Sequence, residues 1–108
     1  MRKILYRGLD QFNTWVDGTP VIDEESGTVT INGINVKRYS LCQFTGCYDK
    51  NGQPIYEGDI VATVTGVGTM VGVVDFSDGS FYYIPKENVK MLLTEHPVLI
   101  IGDRFHYD

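Results

Sequence analysis

The sequence predicts a mainly β domain, β-rich with α+β as the variant. The expected form is a small twisted or barrel-like antiparallel sheet, an SH3-like barrel among the candidates, with at most one short helix near 86–95. Three observations lead there. The 12 Gly of the 108-residue chain punctuate it densely, and roughly one break every eight to ten residues is the rhythm of short strands. Between the breaks, β-branched and aromatic residues alternate with polar ones. Two dipeptides, Asn32-Gly33 and Asp78-Gly79, stand where two-residue hairpin turns belong. At 12.1 kDa the chain reads as one domain, 1–108. It can bury about two-thirds of its unfolded surface, enough for a core without disulfides or a metal.

Taken in order, Lys3 to Arg7 alternates charged and apolar residues and reads as a first strand, and Phe12 to Val16 as a second, closed by Asp17-Gly18. Val21-Ile22 is a short strand before the polar turn at 23–27. Thr28 to Ile31 and Ile34 to Lys37 flank Asn32-Gly33, whose residues tolerate the positive φ of a type I′ turn. Val29 and Ile31 share a face, with Ile34 and Val36 across from them. Tyr39 to Thr45 reads as extended, and Asp49 to Gly52 as a second turn. Pro54 opens or edges the next strand. The turn Tyr56-Glu57-Gly58-Asp59 launches Ile60 to Thr65, with Ile60, Ala62 and Val64 on one face.

Gly66-Val67-Gly68 breaks that strand, and Met70 to Phe76 resumes it. Phe81 to Ile84 returns after Asp78-Gly79, with large apolar groups on both faces, a pattern expected of a strand covered on both sides by this chain or a second copy. Pro85 is expected to end this hairpin. Val89, Leu92 and Leu93 have helical spacing within 86–95, although no capping residue precedes them. Val98 to Ile101 reads as a last buried strand stopped by Gly102, and residues 103–108 as a fraying end.

Charge is unevenly placed. Residues 1–40 carry five basic and five acidic groups, whereas 41–108 carry four basic and nine acidic, and the net charge of −5 resides there. Between Asn51 and Pro85 there is no Lys or Arg, only Glu57, Asp59, Asp75 and Asp78. Nucleic-acid surfaces need cations to displace phosphate counterions, so only Arg2, Lys3, Arg7, Lys37 and Arg38 could supply such a contact. Their plainer role is as solvated surface charges.

Catalytic constellations are not apparent. Cys42, Cys47, His96 and His106 lack zinc-ligand spacing, and nothing local pairs either Cys with a His as a nucleophilic dyad. Cys42 reads as a small buried hydrophobe and Cys47 as partly exposed, both reduced. Glu57 and Asp59 suit backbone-bonding turns better than the paired carboxylates of a glycosidase. Gly66-Val67-Gly68 opens no helix, as a phosphate loop must. Tyr56, Phe76, Phe81, Tyr82 and Tyr83 could stack bases, but without cations they suit a protein contact better. No cofactor and no metal is expected. The longest apolar run, Val98 to Ile101, is far short of the ~20 residues that cross a bilayer. The basic start lacks the apolar core of a signal peptide, so the expected compartment is the cytoplasm.

One stretch is distinctive: Gln43-Phe44-Thr45-Gly46-Cys47-Tyr48-Asp49-Lys50-Asn51-Gly52-Gln53-Pro54-Ile55-Tyr56-Glu57-Gly58-Asp59-Ile60-Val61. It closely resembles the central signature of the YopX family, small proteins of phages and prophages, with Cys47 and Tyr48 departing from the usual residues. Looser likenesses at Tyr6-Arg7-Gly8, Trp15-Val16, Gly72-Val73-Val74 and Ile100-Ile101-Gly102-Asp103 extend it over nearly the whole chain. The resemblance implies a β-rich fold and a mobile-element origin, and it transfers no catalytic residues. The signature's turn glycines, carboxylates and apolar anchors suit a structural role.

The expectation is therefore a non-enzymatic interaction module of the bacterial cytoplasm. It self-associates or binds a host or phage protein through an acidic aromatic β surface that includes Phe76, Phe81, Tyr82 and Tyr83. The alternative is a small nucleic-acid-binding barrel that uses the five cations above.

Overall fold

The computed structural model describes residues 5–66, 68–77, 80–86, 89–93 and 97–106. The fold is mainly β, as expected, with antiparallel sheets, one of them curled into a half-barrel, and no helix of seven residues or more among the described residues. The chain forms two compact units, Met1–Phe44 and Thr45–Asp108.

In the first unit, strand β1 (Tyr6–Leu9) pairs with β2 (Trp15–Gly18) from Leu9↔Trp15 to Tyr6↔Gly18. On its other side Tyr6 and Arg7 pair with Gln43 and Cys42 at the start of β6 (Cys42–Tyr48). The strand expected at Phe12–Val16 begins only at Trp15. Its first residues are taken by a turn in which Asp10 Oδ1 accepts the N–H groups of Phe12 and Thr14 and Asn13 adopts φ 60°. The hairpin of β4 (Val29–Ile31) and β5 (Ile34–Val36) forms as expected. Asn32 and Gly33 have φ 54° and 78°, the positive pair a type I′ turn demands. Ile31 faces Ile34 and Val29 faces Val36 across this hairpin, while β3 (Pro20–Ile22) pairs with β4. Val29, Ile31 and Val36 form the core of this unit, with Val16 and Leu41 against it.

Tyr39 and Ser40 are not extended. Arg38–Ser40 is a 3-10 turn, and its shape is explained by one hydroxyl. Buried Ser40 Oγ accepts the Leu9 N–H at 2.8 Å and donates to the Lys37 carbonyl at 2.6 Å. A buried serine is tolerated only when so satisfied.

The second unit holds the end of β6, β7 (Pro54–Tyr56) and a five-stranded sheet. That sheet contains β8 (Asp59–Thr65), β9 (Gly68–Ser77), β10 (Ser80–Lys86), β11 (Val89–Leu92) and β12 (Leu99–Asp103), in the order β11-β10-β9-β8-β12. Ile55, Val61, Val74, Tyr83, Leu93 and Val98 are its buried core. Residues 67, 78 and 79, at two expected turns, lie outside the described residues, although Ser77 and Ser80 do pair beside the second.

Three expectations fail here. The helix near 86–95 is not formed: Val89–Leu92 is strand β11, paired with β10 through Tyr82↔Leu92 and Tyr83↔Met91. The same residues also carry a two-residue period. Met91 packs on the core and Leu93 is buried in it, so an uncapped helix loses to a sheet edge that needs a partner. Pro85 does not end β10, which continues to Lys86. It lies in the register shift between Tyr83 and Lys86, the kind of site where a strand tolerates a residue without an N–H. The last strand is not a buried run, since Val98 is buried but Leu99 and Ile101 are exposed. It passes Gly102 through a bulge between Ile100 and Gly102 and ends at Asp103. Residues 103–106 are held by the Asp103 carboxylate, which accepts the Phe105 and His106 N–H groups at 2.9 and 3.0 Å.

Tyr83 yields a prediction. Its hydroxyl is fully buried without a hydrogen-bond partner among the described residues, and burial pushes its pKa up. Removing an unsatisfied buried group recovers its desolvation cost. Tyr83→Phe should therefore raise stability by about 1 kcal/mol in urea unfolding; a clear loss would mean that the hydroxyl has a partner.

Candidate functional site

The distinctive stretch 43–61 begins on β6 and ends on β8. Thr45 is buried, and its Oγ1 donates to the Ile55 carbonyl at 2.7 Å and accepts the Cys47 N–H at 3.1 Å. One hydroxyl thus ties β6 to β7. Gly46 follows with φ 84°.

Asp49 does the most. Its N–H donates to the Gln53 carbonyl and its carbonyl accepts the Gly52 N–H, closing the loop. Oδ1 accepts the Asn51 and Gln53 N–H groups at 2.9 and 2.8 Å. Oδ2 reaches 51 residues along the chain to the Ile100 N–H of β12 at 3.2 Å, while Lys50 N–H donates to the Val98 carbonyl at 3.0 Å. The loop therefore covers the outer edge of a terminal strand that would otherwise offer unpaired backbone groups. Burial pushes the Asp49 carboxyl up, but the N–H groups of Gln53, Ile100 and Asn51 outweigh it, and its pKa lies below the ordinary value.

Ile55 and Tyr56 are buried anchors. The next turn is closed by Asp59, whose Oδ2 accepts the Tyr56 N–H at 2.9 Å. Gly58 takes φ 86°. Its N–H donates to the Val74 carbonyl on β9 at 2.8 Å, and its own carbonyl accepts the Arg104 N–H at 2.9 Å. Val61 is fully buried, Glu57 and Ile60 are half-buried, and Asn51 and Gly52 are exposed. Gln43 and Phe44 are half-buried at the end of the first unit, where the Phe44 N–H donates to the Leu5 carbonyl.

The aromatic candidates divide. Phe76 and Phe81 oppose each other on β9 and β10 with ring centroids 4.9 Å apart, edge to face, and Phe76 is half exposed. Tyr82 opposes Asp75 on the other face. Tyr83 is buried, which corrects its place in an interaction surface; it is a core residue, as is Tyr56.

The basic candidates are also dispersed in role. The Arg7 guanidinium lies 4.0 Å above the Trp15 ring, Lys37 Nζ donates to Asn13 Oδ1, and Arg38 is exposed. Arg2 and Lys3 lie outside the described residues. Cys42 is buried and Cys47 half-buried, and the two are not joined by a disulfide. Among the described residues no cluster of three or more His, Cys, Asp or Glu is placed to hold a metal, and no helix is long and apolar enough to cross a membrane; His96 is not among those residues.

Sequence reasoning did not single out one further feature. On β8 the buried positions are Asp59, Val61 and Thr63, and Thr63 Oγ1 donates to the Pro97 carbonyl. The more apolar set, Ile60, Ala62 and Val64, points outward, with Val64 73% exposed. The alternation was readable, but which set faces the core depended on a distant carbonyl.

These features define an antiparallel β protein whose distinctive residues chiefly close turns and cap strands. Thr45, Asp49, Gly58 and Asp59 each bond a backbone group distant from the loop or close a turn within it. The chain belongs to the YopX family: the family model described as YopX protein matches residues 4–103. A search of curated proteins returns no match.

Proposed function

We propose that this YopX-family chain is a non-enzymatic protein-interaction module, a phage or prophage product acting in the cytoplasm of a bacterial host. The mobile-element setting rests on the family resemblance. The observation that carries the interaction reading is the outer face of the second unit's sheet, where Val64, Val71 and Leu99 are 73%, 44% and 36% exposed. Aliphatic groups gathered on a sheet face are costly to leave in water, and the apolar patch that a domain does expose is often functional. The non-enzymatic part is supported by the signature carboxylates, because Asp49 and Asp59 are buried and engaged with backbone N–H groups. The nucleic-acid alternative is weakened by Arg7 and Lys37, which are engaged by Trp15 and Asn13.

A photo-crosslinking residue at position 71, expressed in a bacterial host, should give discrete protein adducts that survive nuclease. The same residue at exposed Thr19 should give none. Adducts lost on nuclease treatment, or equal yields at the two positions, would overturn the reading.

A further inference from the structure

The uncovered face has a composition that limits its occupant. The register places Leu99 of β12, Ala62 of β8 and Val71 of β9 in one row across three strands. Directly paired residues project to the same side of a sheet, and residues two apart along a strand share that side. Ile60 and Val64 on β8 and Val73 on β9 therefore extend the row in both directions. Among the described residues this strip contains no charge. At its margin Asp75 Oδ1 lies 3.9 Å from Arg104 Nη1, each side chain 44% exposed. Among the described residues the face thus presents an apolar centre with one acid–base pair at its margin.

We propose that this strip takes a second copy of the chain, packed face to face about a two-fold axis; the proposal rests on the interaction reading above. A two-fold interface uses the same patch on both partners, so the patch must complement itself. The chain carries a net charge of −5, and most charged surfaces that it offers to its own copy repel. An aliphatic strip bordered by a neutral acid–base pair does not: apolar meets apolar, and each acid can face a base. Two twisted sheets meeting through such faces form a β-sandwich with strands within about 30° of alignment.

The small size of the strip places the contact in the weak class. The strip runs over about five residues of β8, three of β9 and one of β12, which at ~3.3 Å per residue and about 4.8 Å between strands cover roughly 150 Å2. A standard stable interface takes about 800 Å2 from each partner. The association is therefore weak and concentration-dependent.

Sedimentation equilibrium of the purified chain from about 5 µM to about 500 µM spans the concentrations at which a weak association shows. The weight-average mass should rise from 12.1 kDa toward twice that value. Val71→Lys and Leu99→Lys should each raise the dissociation constant roughly tenfold or more. Val21→Lys, at a residue 65% exposed in the first unit, should leave it unchanged. Each variant is checked by circular dichroism, and the crosslinker at position 71 of the purified chain gives a readout that needs no destabilising change, a dimer band. A mass that stays at the monomer value throughout, or one that rises equally in Val71→Lys and Leu99→Lys, overturns the proposal. If the purified chain stays monomeric while position 71 captures a different protein in cells, self-association fails and the interaction reading stands. If neither adduct forms, both fail.

Discussion

Asp49→Ala should destabilise the protein by about 3 kcal/mol, because it leaves three partly buried backbone donors without their acceptor, at about 1 kcal/mol each, the low end of the cost of an unpaired donor. The Asn51, Gln53 and Ile100 N–H groups all lose their acceptor. In thermal unfolding the midpoint should fall by roughly 15 °C, at about 4–8 °C per kcal/mol for a domain of this size. The damage is also qualitative. Without Oδ2 the edge of β12 opens at Ile100, and an open edge is a template for another strand, so the variant should aggregate on heating. Asp49→Asn keeps one acceptor oxygen and should lose about half as much stability. A wild-type melting curve for Asp49→Ala would rule out the edge-covering role. The sign of the pH dependence follows from the lowered folded-state pKa. The carboxylate's contribution is fully present above the unfolded carboxyl value of 3.8 and is lost as pH falls through the lower folded one. Asp49→Asn should remove this part of the acid sensitivity, seen as a shallower loss of midpoint below about pH 4.

The β class and the turns were legible because their causes are local. Asn32-Gly33 specifies its hairpin through backbone sterics alone, and Asp49 and Asp59 close turns on neighbours two to four residues away. What depended on distant partners was not legible. The segment 89–93 carries both a helical and a two-residue period, and pairing with β10 decides between them. Ser40 lies in a 3-10 turn because Leu9, 31 residues earlier, donates to it. On β8 the apolar count favours Ile60, Ala62 and Val64 as the core face, yet Val61 and Thr63 are buried, since Pro97 satisfies the threonine. The same inversion concealed the exposed apolar strip, because residues that look like core material on one strand become a surface only when neighbouring strands align with them.

Gly58→Val should be the most damaging single substitution in the signature, exceeding about 4 kcal/mol, whereas Gly58→Ala should cost about 2 kcal/mol. Two causes could contribute, and the geometry ranks them. An added Cβ would lie 3.2 Å from Arg104 Nε and 3.3 Å from Phe105 Cε2. The arginine end can swing away, and the ring need yield only a few tenths of an ångström, so crowding is the lesser term. Conformation is the greater: φ is 86°, where a side chain is strained and a β-branched one severely so. The backbone cannot relax out of it cheaply, because Gly58 is held on both sides, through its N–H to Val74 and its carbonyl to Arg104. Rotation would break the links from this turn to β9 and to the segment after β12, and would displace the Tyr56 N–H from Asp59. Gly58→Asn separates the two causes. Asparagine carries the same Cβ but tolerates positive φ better than alanine. If conformation dominates, urea unfolding should rank Gly58→Asn as less destabilised than Gly58→Ala despite its larger side chain. The reverse order would assign the requirement to crowding against Phe105.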